Sequence, residues 1–244
     1  MAKVYRRPKL YPKQTAAFFE PLDAQGNPAR YSWIEGSTKS GKTVSCMAWL
    51  VEQAMLKGKA GRQFWWVAPV SGTAKIAFGR IKRGLKGKKI VNHTDMTIAI
   101  GKGAVLRFKS AEKPDNLYGE DVWACVMDEA SRMRQEAFYA VRSTLTATRG
   151  PVRIIGNVKG RKSWFFLGCR KAEGGEPNHS YHKITALDAV NAGVFPMEEL
   201  DDAKAALPEA VFNELYFCIA SDDGGNPFGL KYISTLKAVA VYDI

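Results

Sequence analysis

The chain has 244 residues, 46% hydrophobic and 25% charged, enough to bury a sizeable core in one large domain or one domain with a small appendage. No apolar run approaches the roughly 20 residues of a membrane span, and the basic start from Met1 to Arg7 lacks the apolar stretch of a signal peptide. The net charge of +12 suits either a polyanionic partner, nucleic acid being the commonest, or simply a basic soluble surface.

Its distribution is uneven. Lys75, Arg80, Lys82, Arg83, Lys86, Lys88 and Lys89 follow one another with no acid among them, whereas residues 187–223 are rich in Asp and Glu. That asymmetry favours a basic face over a uniform excess. Cys46, Cys125, Cys169 and Cys218 are far apart in apolar contexts, without a CxxC pair, and read as reduced core thiols of a cytosolic protein. His93, His179 and His182 are too scattered for a metal site.

In chain order, residues 1–30 are irregular, with Pro8, Pro12, Pro21 and Pro28 and a short helix over Lys13 to Phe19. Tyr31 to Glu35 reads as a buried strand ending at glycine, and Thr43 to Leu56 as a helix with apolar residues at Val44, Met47, Ala48, Val51, Ala54 and Met55. Gln63 to Ala68 is a continuous apolar strand in which Trp65 and Trp66 are core rather than a stacking platform. A basic helix over Thr73 to Leu85 precedes a hairpin formed by Thr97 to Ile100 and Ala104 to Phe108. Val122 to Met127 is a buried strand, Gln135 to Thr146 a helix, and Val152 to Ile155 a strand. A helix from about Ser163 to Lys171, a strand over His182 to Thr185 and helices to about Ala220 complete the pattern. Strands alternating with helices imply an α/β fold with a mostly parallel sheet covered on both faces, where ligands sit at the carboxyl ends of the strands.

Two segments carry chemistry. Between the first strand and the first long helix, Gly36, Ser37, Thr38, Lys39, Ser40, Gly41, Lys42 and Thr43 match the phosphate-loop pattern in full. Glycines let the backbone curl so that its amides face phosphates, and the following helix adds the positive end of its dipole. In such loops the lysine reaches the β- and γ-phosphates and the Ser/Thr hydroxyl ligates Mg²⁺, the expectation for Lys42 and Thr43. Asp128 and Glu129, adjacent carboxylates after a buried strand, are costly without a task. They are expected to hold Mg²⁺, usually through water, and to polarise the attacking water as general base, respectively; alone, the pair also suits the positive end of a helix.

The order of motifs resembles the ATPase part of the large terminase subunit of tailed bacteriophages. Tyr11 to Gln14 is similar to the family's adenine-recognition motif, the loop at 36–43 to its phosphate loop, and Trp66 to Pro69 with Phe78 to Arg80 to the segment after the second strand. Lys113 to Leu117 with Gly119, then Met127 to Ala130, resembles the approach to the acidic pair, and Ile155 to Asn157 with Lys159 and Gly160 the coupling motif. Phe212 to Tyr216 and Asp222 to Gly225 resemble the end of the lid. The match spans roughly residues 11–228.

The resemblance implies a P-loop NTPase of the additional-strand (ASCE) type. Its core would span residues 1–185 with the N-terminal adenine-binding segment, its helical lid 186–228, and 229–244 would link to a missing C-terminal nuclease of RNase H-like fold. It implies ATP and Mg²⁺ as cofactors, and double-stranded DNA, the portal protein, the small terminase subunit and a homo-oligomeric ring as partners, in the cytoplasm of the infected bacterial host. Gln14 would contact adenine, rather than be a surface residue of a short helix, and Asn157 would sense the γ-phosphate, rather than be a strand-end turn residue. Lys82, Arg83, Lys86, Lys88 and Lys89 are candidate DNA-backbone contacts, against the plainer reading of a solvated helix face.

The family often carries an arginine in the phosphate loop or the Asp-Asn-Leu segment. Here Thr38 and Lys39 occupy the loop and Tyr118 follows Leu117. Arg80 and Arg142 are the leading candidates for the arginine finger, with Arg132, Arg134 and Arg149 behind them. A finger supplied in trans would act only in the assembled ring, leaving the isolated monomer a weak ATPase. A superfamily 2 helicase would need a second RecA-like domain, for which too little chain follows residue 160; a small-molecule kinase fits the adjacent Asp-Glu pair poorly; intact Lys42, Thr43, Asp128 and Glu129 together argue against a non-hydrolysing, nucleotide-gated DNA-binding protein.

Overall fold

The computed structural model describes residues 5–221. An eight-stranded sheet forms its centre, in the order β3-β4-β5-β2-β6-β7-β1-β8. The strands are β1 (Tyr31–Gly36), β2 (Gln63–Ala68), β3 (Lys89–Asn92), β4 (Thr97–Ile100), β5 (Ala104–Ser110), β6 (Val122–Met127), β7 (Val152–Gly156) and β8 (His179–Ile184). All neighbours pair in parallel except β3 with β4 and β4 with β5. The helices are α1 (Pro12–Gln14), α2 (Lys42–Lys57), α3 (Ser71–Gly84), α4 (Gln135–Thr144), α5 (Trp164–Glu173), α6 (Ala186–Asn191), α7 (Met197–Ala206) and α8 (Glu209–Phe217). A π-helical turn at Thr15–Phe19 continues α1.

The two faces of the sheet nucleate two cores, because successive strand side chains point to opposite faces. Ile34, Phe64, Trp66, Ala124, Val126 and Ile155 meet Cys46, Trp49 and Leu50 of α2 and Ala77, Phe78 and Ile81 of α3. Tyr31, Trp33, Trp65, Val67, Met127 and Ile154 meet Ala137, Ala140 and Val141 of α4 and Phe165 and Cys169 of α5. Trp65 and Trp66 are fully buried on opposite faces, and all four cysteines are buried and free. At the far end of the chain α6, α7 and α8 form a smaller apolar cluster of their own around Ala186, Leu200 and Phe212. The residues expected to close the lid and lead onward, 222–244, lie outside the described residues.

The sheet order carries the point that matters for the site. β7 is inserted between β6, which leads into the acidic pair, and β1, which leads into the phosphate loop. Three parallel strands therefore release Gly36, Asp128 and Asn157 at one carboxyl edge.

β3 is a strand the sequence reading did not include and β8 starts at His179 rather than His182, and charged residues depart as well. The basic run from Lys75 to Lys89 is not one helical face, since α3 stops at Gly84, Lys86 and Lys88 lie in the connection, and Lys89 opens β3, a short edge strand with an alternating half-buried pattern. In addition, β7 holds a buried charge. Arg153, 4% exposed, donates through Nε to the Phe18 carbonyl at 2.8 Å and lies over the Trp49 ring at 4.3 Å. Its contacts to backbone carbonyls and an aromatic face offset its desolvation, though burial still pulls it below the ordinary arginine range. Together with Ser32 Oγ, which donates to the Ala17 carbonyl at 2.8 Å, it clamps the turn behind Gln14 onto the sheet.

Truncating Arg153 to alanine removes a well-packed side chain and orphans a buried carbonyl; we expect a loss on the order of 3 kcal/mol in urea unfolding. His182 on β8 gives a pH signature. Burial, then the nearby Arg153 charge, lower its pKa to about 4, so the folded protein favours the neutral ring. Its contribution is complete above the unfolded value of about 6.5 and is lost as pH falls from there toward 4. Urea midpoints measured across that window should fall less steeply for His182→Gln than for the wild type.

Candidate nucleotide site

The loop from Gly36 to Thr43 leaves β1 and enters α2 through Gly41, whose φ of 79° is the left-handed conformation that glycine adopts without cost. Space is short for a side chain as well: a Cβ on Gly41 would stand 2.3 Å from Gln14 Nε2, and one on Gly36 2.8 Å from Lys42 Cδ, so each would have to displace that side chain. Ser40 Oγ donates to the Ser37 carbonyl at 2.8 Å and closes the loop on itself. Lys39, at φ 60°, is exposed at the tip.

Lys42 is 7% exposed, and its ammonium has partners from three strand ends. It donates to the Ser37 carbonyl at 3.2 Å and to Asn157 Oδ1 at 2.8 Å, and lies 4.0 Å from Glu129 Oε1. Asn157 returns its Nδ2 to Thr38 Oγ1 and to the Leu215 carbonyl of α8, each at 3.4 Å. The same carbonyl accepts the Thr38 amide at 2.8 Å, and Glu214 accepts the Gly160 amide at 3.2 Å. Helix α8 thus sits against both the loop and the segment after β7.

Asp128 is 5% exposed, and its Oδ1 is a buried oxygen without a hydrogen-bond partner among the described residues. Burial first, then the Glu129 carboxylate, push its pKa up to about 7 against the pull of Lys42. A buried acceptor beside the phosphate loop, given no donor by the described residues, suits a cation, and the half-buried Thr43 adds a hydroxyl from the first turn of α2. The donor set therefore fits Mg²⁺. Glu129 adopts φ 54° and ψ 43°, a left-handed conformation that a non-glycine residue takes at a cost of roughly 1–2 kcal/mol. That turn leaves its carboxylate between Lys42 and Arg132, whose Nε is 3.8 Å from Glu129 Oε2.

Other expected residues fall differently. Gln14 is buried and directed at the loop: its Nε2 donates to the Ser40 carbonyl at 3.0 Å and its Oε1 accepts the Tyr11 amide at 3.3 Å. Tyr11 Oη donates to the same Ser40 carbonyl at 2.7 Å. In this structure the Gln14 amide braces the loop. Arg80, exposed on α3, is close enough to the acidic pair to lower the Asp128 pKa. Arg142 is not brought to the loop; it lines a cleft with Tyr31, at the amino end of β1, because α4 runs along the sheet away from the carboxyl edge. Among the candidate DNA contacts, Arg83, Lys86 and Lys88 are exposed and Lys82 is half-buried. Lys89 is a correction: its Nζ donates to the Lys82 and Leu85 carbonyls at 2.8 and 2.5 Å and so caps the end of α3.

The sequence reading missed Glu35, one residue before the loop. It is 1% exposed and accepts from Tyr181 Oη at 2.5 Å and Arg170 at 2.9 Å, which pins β8 and α5 beneath the loop. Burial raises its pKa despite both partners. A lone charge inside an apolar strand was the available signal, as it was for Arg153.

Gly41→Ala should destabilise the fold by about 1–2 kcal/mol through φ strain, plus the cost of displacing Gln14. Combining it with Gln14→Ala relieves the contact but not the strain, so the double variant should lose less stability in thermal melts than the two single losses added together.

No protein-family model and no curated protein matches the chain. Solved structures do. The large terminase ATPase domain of Thermus phage P74-26 superposes with a TM-score of 0.70 at 19% identity, over 87% of this chain and 94% of that one. The large terminase of a second thermophilic bacteriophage, in complex with ADP, gives 0.71 at 16% identity, over 86% of this chain and 53% of that one. That of bacteriophage HK97 gives 0.66 at 15%, over 90% of this chain and 52% of that one. The chain thus spans about half the length of the latter two proteins. At these identities the likeness is one of fold: the described chain is an α/β P-loop domain folded like the ATPase part of phage large terminases.

Proposed function

We propose that this chain is an ATP-hydrolysing motor domain of a viral large terminase, which drives double-stranded DNA into a procapsid. The observation that carries hydrolysis is the convergence of Lys42, Asp128, Glu129 and Asn157 at the ends of β1, β6 and β7. The fold likeness supports the motor reading, and the exposed cations Lys75, Arg80, Arg83, Lys86 and Lys88 in and after α3 support a polyanionic track.

In this reading the loop amides and Lys42 bind the β- and γ-phosphates, and Lys42 leaves Asn157 to do so. The Thr43 hydroxyl and Asp128 would hold Mg²⁺, which when bound neutralises phosphate charge. Glu129 takes the proton of the attacking water as general base, its carboxylate carried on a strained turn that keeps it off the strand axis. Asn157, released from Lys42, reports the γ-phosphate to α8 through the Leu215 carbonyl. One chain brings both Arg80 and Arg132 toward this charge, Arg132 with its Nε 3.8 Å from Glu129 Oε2; Arg142 would have to act on a neighbour. The portal and small terminase partners, the ring and a site of action in the host cytoplasm follow from the terminase reading. So does a division into an ATPase core over 1–185 and a lid from 186.

The decisive comparison is phosphate release by wild type and Glu129→Gln, with nucleotide binding measured in parallel. Turnover should fall by a factor on the order of 100 or more while nucleotide affinity stays within a few-fold. Equal turnover would remove Glu129 as the base, and no turnover in the wild type, alone or with DNA, would favour a nucleotide-gated binding protein.

A further inference from the structure

On the face of the sheet away from α2 and α3, a cleft of about 450 Å³ opens between β1, α4 and α5. It shares no residue with the phosphate loop, the acidic pair or Asn157. Its size falls within the roughly 300–1,000 Å³ of small-molecule sites.

Two features specify what it would take. The first is aromatic: Phe138 and Trp164 lie nearly parallel, 5.7 Å apart at 26°, and Trp33 meets Phe138 at 5.4 Å and Trp164 at 6.0 Å. Gly168 makes room for this cluster, since a Cβ there would stand 2.3 Å from the Trp33 ring. The second is charge. Arg142, Lys162 and Lys171 line the cleft and none of them is in an ion pair among the described residues; the one acid in the lining, Glu176, faces His179 Nδ1 at 4.0 Å. Stacked rings and three cations outside any ion pair among the described residues are complementary to a ligand that is planar and anionic.

We propose that this cleft binds a nucleotide unit, its base against the Phe138 and Trp164 rings and its phosphate on Arg142, Lys162 and Lys171, independently of the phosphate loop. The unit is supplied either by a free mononucleotide or by a single strand of nucleic acid. Bases stack on aromatic side chains irrespective of sequence, and cations around the rings hold the backbone. Lys162 and Trp164 follow Asn157 closely in the chain, so an occupied cleft would adjoin the segment that touches Lys42.

The test uses the Lys42→Ala protein, in which the phosphate loop is disabled, with two probes: adenosine monophosphate followed by tryptophan emission, and a labelled short oligothymidylate followed by anisotropy. An oligothymidylate carrying 5-iododeoxyuridine then locates the contact by photocrosslinking. Binding of either probe, weakened about tenfold or more by Arg142→Glu combined with Lys162→Glu, supports the site, and where the oligomer binds its crosslinks fall at Phe138, Tyr139 or Trp164. Binding of the oligomer alone identifies a strand as the source; binding of the monophosphate as well admits the free nucleotide. The proposal is overturned if neither probe binds. It is equally overturned if the charge-reversed protein, with an unchanged melting temperature, binds as well as its parent, or if crosslinks map only to residues 71–89.

Discussion

The site is organised around one nearly buried ammonium. Lys42 cannot be left without acceptors at that depth, and the acceptors it finds are the Ser37 carbonyl from its own loop and Asn157 from the end of β7, with Glu129 from the end of β6 at ion-pair range. Nothing local joins those three segments. The insertion of β7 between β6 and β1 does, and the buried apolar strands that fix the sheet order also fix the geometry around the lysine.

Two buried charges serve that arrangement from below. Glu35 ties β1 to β8 and α5 through Tyr181 and Arg170 immediately before the loop begins, and Arg153 holds the turn behind Gln14 against Trp49. Gln14 then braces the Ser40 carbonyl next to the one glycine of the loop that has a positive φ. The loop is held on one side by the N-terminal segment and on the other by α8, through the Leu215 carbonyl. A phosphate arriving at Thr38 and Lys42 would compete with the bonds that reach α8, which would give nucleotide occupancy a mechanical route into the smaller helical unit.

Carboxylate energetics mark the chemistry in a complementary way. Asp128 is buried with an oxygen unpartnered among the described residues and its proton affinity raised, whereas Glu129 is a quarter exposed and held in a strained turn between two cations. Side-by-side acids in such unlike surroundings are suited to different tasks. In the proposed reading Asp128 would hold the cation and Glu129 would meet the water.

Much of this was legible in the sequence. Strand β2, strand β6, the hairpin of β4 and β5 and the helix after the phosphate loop follow from runs and periodicities that are local, as does the loop itself, because its glycines and lysine act within eight residues. What the chain alone could not decide is whatever depends on distant segments meeting. Arg142 and Arg80 look alike along the sequence, yet the direction of α4 sends the one to an aromatic cleft, while Arg80 on α3 stands near the acidic pair. Lys89 reads as one more cation of a basic run, yet β3 turns it back to cap α3. Glu35 and Arg153 are single charges in apolar strands whose partners lie more than 100 residues away in sequence. The sequence by itself determined that a phosphate loop and an acidic pair exist; the tertiary structure decided that they meet at Lys42, which Asn157 also holds, because only the sheet order brings those strand ends within hydrogen-bonding and ion-pair distance.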